Sequence, residues 1–168
     1  METNVTLFDI VLALATFLCS LVAGFLFAFA VVVMPGIKNL DDGGFLRAFQ
    51  VIDRVIQDAQ PLFVLVWVGS VLAVIAAAVL GMWALDGADR LLVIVAALVY
   101  VLFVQLPTFT INIPLNNRLQ KLELGVTGDA DRKRARDDFE PRLNRWNVVR
   151  TASASLVSLL LLILLARA

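Results

Sequence analysis

Two short polar runs hold the residue types in this chain best suited to chemistry. One reads Asn112-Ile-Pro-Leu-Asn-Asn-Arg118 and the other Arg145-Trp-Asn-Val-Val-Arg-Thr151. Carboxamides and a guanidinium donate hydrogen bonds to anionic oxygen, and a desolvated guanidinium stabilises an enolate-like charge. Both runs adjoin long apolar stretches, where such groups are costly unless they have a partner or a purpose. The candidate binding residues are Asn112, Asn116, Asn147 and Arg150, with Trp146 beside them and Gln60 and Asp53 from an earlier segment. Two readings of Arg150 stay open. Its charge can snorkel to the membrane surface, or turn inward to Asn112, Asn116 or Asp53. Trp146 fits an interfacial anchor, with a stacking surface as the alternative.

The inventory also excludes chemistry. The chain has no histidine, which removes histidine-ligated haem, the usual histidine-based zinc sites and any Ser-His-Asp or Cys-His arrangement. No metal site is expected. Cys19 is the single cysteine, so an intrachain disulfide is impossible. The plausible general bases are Asp53, Asp58 and Tyr100. No catalytic residue is assigned.

The elements that position these residues follow from hydropathy. At 61% hydrophobic residues and mean hydropathy +0.90, the chain is far more apolar than a soluble domain. Four stretches, at about 8–34, 61–85, 91–115 and 147–166, are long enough to cross a hydrocarbon core. Each holds at most one charged residue, Asp9 in the first and Arg150 in the fourth. The expected fold is an all-α, integral membrane four-helix bundle, a single transmembrane domain over residues 1–168.

Charge sets the expected orientation. Three basic residues lie between the first two spans and eight between the last two, and Arg150 sits just inside the fourth. These are twelve of the fourteen, leaving Arg90 and Arg167 on the other side. The positive-inside rule then puts both larger connections in the cytoplasm and both termini outside, in a multi-pass protein of the inner (plasma) membrane. The amino end has Glu2 and Asp9 but no basic residue before the first span. That differs from a cleaved signal, and a retained first helix is expected.

Between the first two spans, about residues 45–59 form a short amphipathic helix. Phe45, Phe49, Ile52, Val55, Ile56 and Ala59 are expected on its apolar face, and Arg47, Gln50, Asp53, Arg54, Gln57 and Asp58 on its polar face. It either lies at the membrane interface or roofs a cavity between the spans. Small residues at helical spacing predict packing faces: Ala13, Thr16, Ser20, Gly24 and Ala28 in span one, and Gly69, Ala73, Ala77 and Gly81 in span two. Pro107 and Pro114 should each remove a helical hydrogen bond, freeing the carbonyls of Phe103 and Thr110. Gln105, Thr108, Asn112 and Asn116 lie close to one face there, which should turn away from lipid. The connection between spans three and four is charged and is expected to be helical over residues 131–139. Its modest net charge points to anionic lipid headgroups rather than nucleic acid. With the expected topology, all the candidate residues reach one cytoplasm-facing polar mouth.

The runs Phe25-Leu-Phe-Ala-Phe-Ala, Val33-Met-Pro-Gly36, Phe49-Gln-Val-Ile-Asp53, Gln60-Pro-Leu-Phe63, Asn112-Ile-Pro-Leu-Asn-Asn117 and Arg145-Trp-Asn-Val-Val-Arg-Thr151 resemble the anthrone-oxygenase-like family. These are small four-span membrane proteins, most of them bacterial. The resemblance implies cofactor-free oxidation of lipophilic aromatic, anthrone-like or quinol-like substrates, without metal or flavin. It implies no role for any single residue. Two other functions fit the residues alone: a non-catalytic interaction or structural subunit, and a small-molecule transporter, since a proline-broken span resembles transporter helices. Expected partners are membrane lipids and a lipophilic small molecule, with a homo-oligomer or membrane partner open.

Overall fold

The computed structural model describes residues 5–167; Glu2 lies outside them. Four helices are long and apolar enough to cross a membrane: α1 (Leu7–Lys38), α3 (Pro61–Ala84), α4 (Gly87–Gln120) and α5 (Asp129–Leu165). The protein is a multi-pass membrane protein. The shorter α2 (Asp42–Gln57) lies between α1 and α3.

Local chemistry fixes the helix ends. Thr6 starts α1 with a reciprocal cap: its Oγ1 accepts the Asp9 N–H (3.2 Å), and its own N–H donates to the Asp9 carboxylate (2.8 Å). Asp41 caps α2 by accepting the Gly44 N–H at 2.8 Å. A Cβ on Gly44 would sit 2.5 Å from that Asp41 oxygen, so the cap needs glycine there. Ala59 ends the α2 segment at φ +53°, a left-handed turn without glycine. Gln60 then caps α3, whose first residue is Pro61.

The four long helices pack in a ring, α1 against α3 and α5, and α4 against the same two. Leu12, Cys19, Val22, Val74, Ala77, Val93, Tyr100, Val157 and Leu161 fill the membrane core. On the predicted small face of α3 the helices pack closely: a Cβ on Gly81 would lie 2.8 Å from Val93 Cγ1 of α4. The predicted small face of α1 behaves differently. Thr16 of that face is buried and Ser20 half-buried, but Ala13, Gly24 and Ala28 are exposed, and Leu12, Ala15, Cys19, Val22 and Leu26 are buried beside Thr16. In lipid, apolar area gives the interior no advantage, so the buried stripe is set by which side chains pack against α3 and α5.

A second core stacks on the first at the charged end. Met34 of α1, Phe45, Leu46 and Phe49 of α2, Leu115 and Leu119 of α4, and Phe139 and Leu143 of α5 are all buried together. The Phe49 and Phe139 rings meet edge to face at 4.7 Å. Helix α2 therefore spends its apolar face on protein. That face is also turned from the expected one: Gln50 and Asp53 are buried, while Val55 and Ala59 are exposed. The reason is on α4, whose end offers two carbonyls to Gln50 and two amides to Asp53.

Arg136 of α5 latches this end. It donates to the carbonyls of Lys38 (2.6 Å) and Leu40 (2.9 Å), pairs with Asp42 and Glu140, and lies 4.4 Å over the Phe45 ring. The Glu140 hydrogen bond raises its already high pKa, with burial opposing and Asp42 adding to the rise. Charged connection and fourth span are one continuous helix, with Pro141 inside it.

The prolines of α4 do not break it. The helix widens to π geometry over Tyr100–Gln105 and again over Thr108–Asn112. The carbonyls taken up by side chains are those of Val104, by Thr108, and Leu106, by Thr110. The wider turns run a five-residue register at their ends, with Leu106 N–H donating to the Val101 carbonyl and Ile113 N–H to that of Thr108.

Candidate functional site

Thr108, Asn112, Asn116 and Gln120 stand four residues apart on α4. Successive members lie one above the other on a helix face, about 6 Å apart along the axis. Each end of this ladder holds one buried charged side chain.

At the membrane end is Arg150, 8% exposed and turned inward. Its Nη1 donates to Thr108 Oγ1 at 3.1 Å and its Nη2 to Asn147 Oδ1 at 3.2 Å. With the Asn112 amide oriented so that both its atoms meet complementary groups, Oδ1 accepts from Arg150 Nη2 (3.2 Å) and Nδ2 donates to the Pro107 carbonyl (3.1 Å). All three acceptors are neutral, and no carboxylate among the described residues pairs with Arg150. Two donors at this point, Arg150 Nε and Asn147 Nδ2, are buried without any partner. A buried cation normally brings its counter-charge with it. Here the cation is oriented by neutral oxygens and its charge is left over.

At the other end is Asp53 of α2, 3% exposed. Its carboxylate accepts from Asn116 Nδ2 (2.7 Å), Gln120 Nε2 (2.9 Å) and Gln57 Nε2 (3.0 Å). Gln120 also donates to the Gln50 carbonyl, and Gln57 to Asn117. This is the mirror case, a buried anion held by neutral donors with no cation paired to it among the described residues.

A groove of about 240 Å³ opens between α1 and α5. Met34, Pro35 and Lys38 line one side and Asn144, Asn147 and Val148 the other, so it meets the Arg150 cluster at Asn147. Its volume is below the roughly 300–1,000 Å³ usual for organic-ligand pockets. The Lys38 ammonium at its outer end adds a second cation.

The family model described as Anthrone oxygenase matches residues 53–161. That stretch covers most of the chain and both polar runs. The chain belongs to the anthrone oxygenase family. No curated protein and no solved structure matches it.

In this anthrone oxygenase family chain, the structure divides the sequence candidates. Asn112, Asn147 and Arg150 come together around one guanidinium, and Asp53 and Asn116 meet one turn along the ladder. Arg150 does not reach Asn116 or Asp53. Gln60 is held in the α3 cap, where its side chain accepts the Phe63 N–H. Trp146 is half-buried and makes no side-chain hydrogen bond among the described residues. Asp58 is the exposed C-cap of α2. Tyr100 is deep in the membrane core, its hydroxyl 2.6 Å from Ser70 Oγ. Gln120 was missed by sequence reasoning, although extending the four-residue step from Asn116 finds it. The Trp67 to Gln105 hydrogen bond (3.0 Å) joins residues with no local signal linking them. Among the described residues, no three acidic or cysteine side chains cluster as a metal site would need.

Proposed function

We propose that the protein is a cofactor-free oxygenase of lipophilic aromatic substrates, anthrone-like or quinol-like, working from the cytoplasmic side of the membrane. One observation carries this reading: a buried guanidinium with no counter-anion and two unpartnered donors, Arg150 Nε and Asn147 Nδ2, beside a groove. Membership of the anthrone oxygenase family supports the substrate class.

The chemistry asks little of the protein. An anthrone carries an acidic methylene opposite its carbonyl. Removal of one proton gives an enolate whose charge rests on the carbonyl oxygen, and Arg150 with Asn147 stabilises that charge. The base is Asp53, the buried carboxylate further along the ladder. The carbanion adds to dioxygen, and the proton returns to the distal oxygen to give a hydroperoxide. Loss of the second methylene proton breaks the O–O bond, leaving a new carbonyl and releasing water. One anthrone and one dioxygen become one anthraquinone and one water.

Purified protein in nanodiscs, given anthrone, should consume dioxygen and form anthraquinone in equal amounts. Isotopically labelled dioxygen should leave one labelled atom in the quinone. Uptake no faster than in protein-free nanodiscs would sink the proposal and favour the non-catalytic reading.

A further inference from the structure

A second polar site flanks the first. A groove of about 650 Å³ lies between α2 and the loop that follows α4, and Gln50 and Gln120 line it. Arg47 and Arg54 project from α2 seven residues apart, two turns along one face. Arg132, near the start of α5, closes the far end. It is held in place by bonds to the Leu124 carbonyl (2.7 Å) and Asp129 (3.1 Å), and its Nε–H is buried without a partner. Gly43 lies against it, where even a Cβ would make only ordinary contact with the Arg132 side chain at 3.5 Å.

The charge in this groove is unbalanced. Three guanidiniums face one lining carboxylate, Glu123, and among the described residues only Arg132 is paired, with Asp129 from outside the lining. Arg47 and Arg54 form no ion pair among the described residues. Planar guanidinium forks match the tetrahedral oxygens of phosphate, and several converging on one groove suit a multiply charged group. Depth argues for an aqueous ligand. Arg132 precedes Asn147, where the fourth apolar stretch begins, by fifteen residues on one unbroken helix, or about 22 Å at 1.5 Å per residue. A headgroup at the membrane surface reaches the Arg54 end of the groove far more easily than the Arg132 end.

We propose that this groove binds a phosphate-bearing anion from the aqueous phase. The site stands apart from the chemistry at Arg150, and it touches the Asp53 cage through Gln50 and Gln120. A lipid headgroup presents the same phosphate chemistry, so the experiment separates the two sources.

Pyrophosphate is titrated calorimetrically into the full-length protein in nanodiscs of phosphatidylcholine alone. Saturable binding that weakens with added salt is expected. Arg47→Gln and Arg54→Gln should each lower the affinity about tenfold or more, since each removes a charge-assisted contact. Arg118→Gln removes the same charge from an exposed position on α4 outside the groove, and should leave affinity unchanged. A second arm measures phosphatidylglycerol retained on purification. No pyrophosphate binding, with lipid retention lost in the Arg47 and Arg54 variants, overturns the aqueous source. Binding of neither probe, or equal weakening by Arg118→Gln, overturns the site.

Discussion

Replacing Arg150 by methionine separates a functional guanidinium from a structural one. The substitution keeps an unbranched apolar stem, two atoms shorter than arginine, and removes the charge and all its donors. In the folded protein, three neutral oxygens lose a donor: Thr108 Oγ1, Asn147 Oδ1 and Asn112 Oδ1. At about 1 kcal/mol for each net hydrogen bond, that costs roughly 3 kcal/mol. Against it stands relief of the desolvation of an unpaired buried cation, several kcal/mol per ion. No carboxylate is orphaned, because none is paired with Arg150. The two contributions are of similar size and opposite sign, so stability should change by less than about 1–2 kcal/mol. Activity should change much more. Removing one donor to a developing oxyanion typically costs about 2.7–4 kcal/mol in the barrier, a rate loss of about 10²–10³. The assay pairs dioxygen uptake on anthrone with thermal unfolding in detergent. Arg150→Lys keeps the charge but not the fork, and should fall between wild type and methionine. An Arg150→Met protein that unfolds early yet oxidises anthrone at the wild-type rate would refute the reasoning and make Arg150 a structural residue.

The remaining predictions address the base and the frame. Asp53→Asn places an amide among three amide donors, so stability should fall by about 1.5–3 kcal/mol and anthrone oxidation by about 10²–10⁴. Chemical unfolding and the uptake assay read the two separately, and full activity in this variant would exclude Asp53 as the base. Gly81→Ala should cost about 1–3 kcal/mol through overpacking, since the new Cβ meets Val93 Cγ1 at 2.8 Å. The matching Gly24→Ala change faces open space and should stay within about 0.5 kcal/mol in the same unfolding assay. Ala59→Gly should stabilise the protein by up to about 1 kcal/mol, because it relieves a left-handed alanine at φ +53°; a lower melting temperature would contradict the turn between α2 and α3. Arg136→Ala should cost about 2–4 kcal/mol by opening the latch on the Lys38 and Leu40 carbonyls, visible as faster proteolysis between α1 and α2.

What the sequence determined is what depends on local composition. Four apolar runs with almost no charge can only be membrane helices, because lipid offers backbone groups no other partner. The four-residue spacing of Thr108, Asn112 and Asn116 marked a polar face whatever the helix packed against. What the tertiary structure decided is everything that needs two elements at once. The α1 small-residue face and the α2 polar face were each right only in part, for one reason: periodicity gives the stripe, and only the neighbour decides which part of it is buried. Gln50 and Asp53 go inside because α4 brings carbonyls and amides to meet them. Arg150 likewise had two destinations, surface or interior, equally open to a flexible side chain near a helix end. Thr108 and Asn112 of α4 hold it inward, forty residues away in sequence and hydrogen-bonded in space.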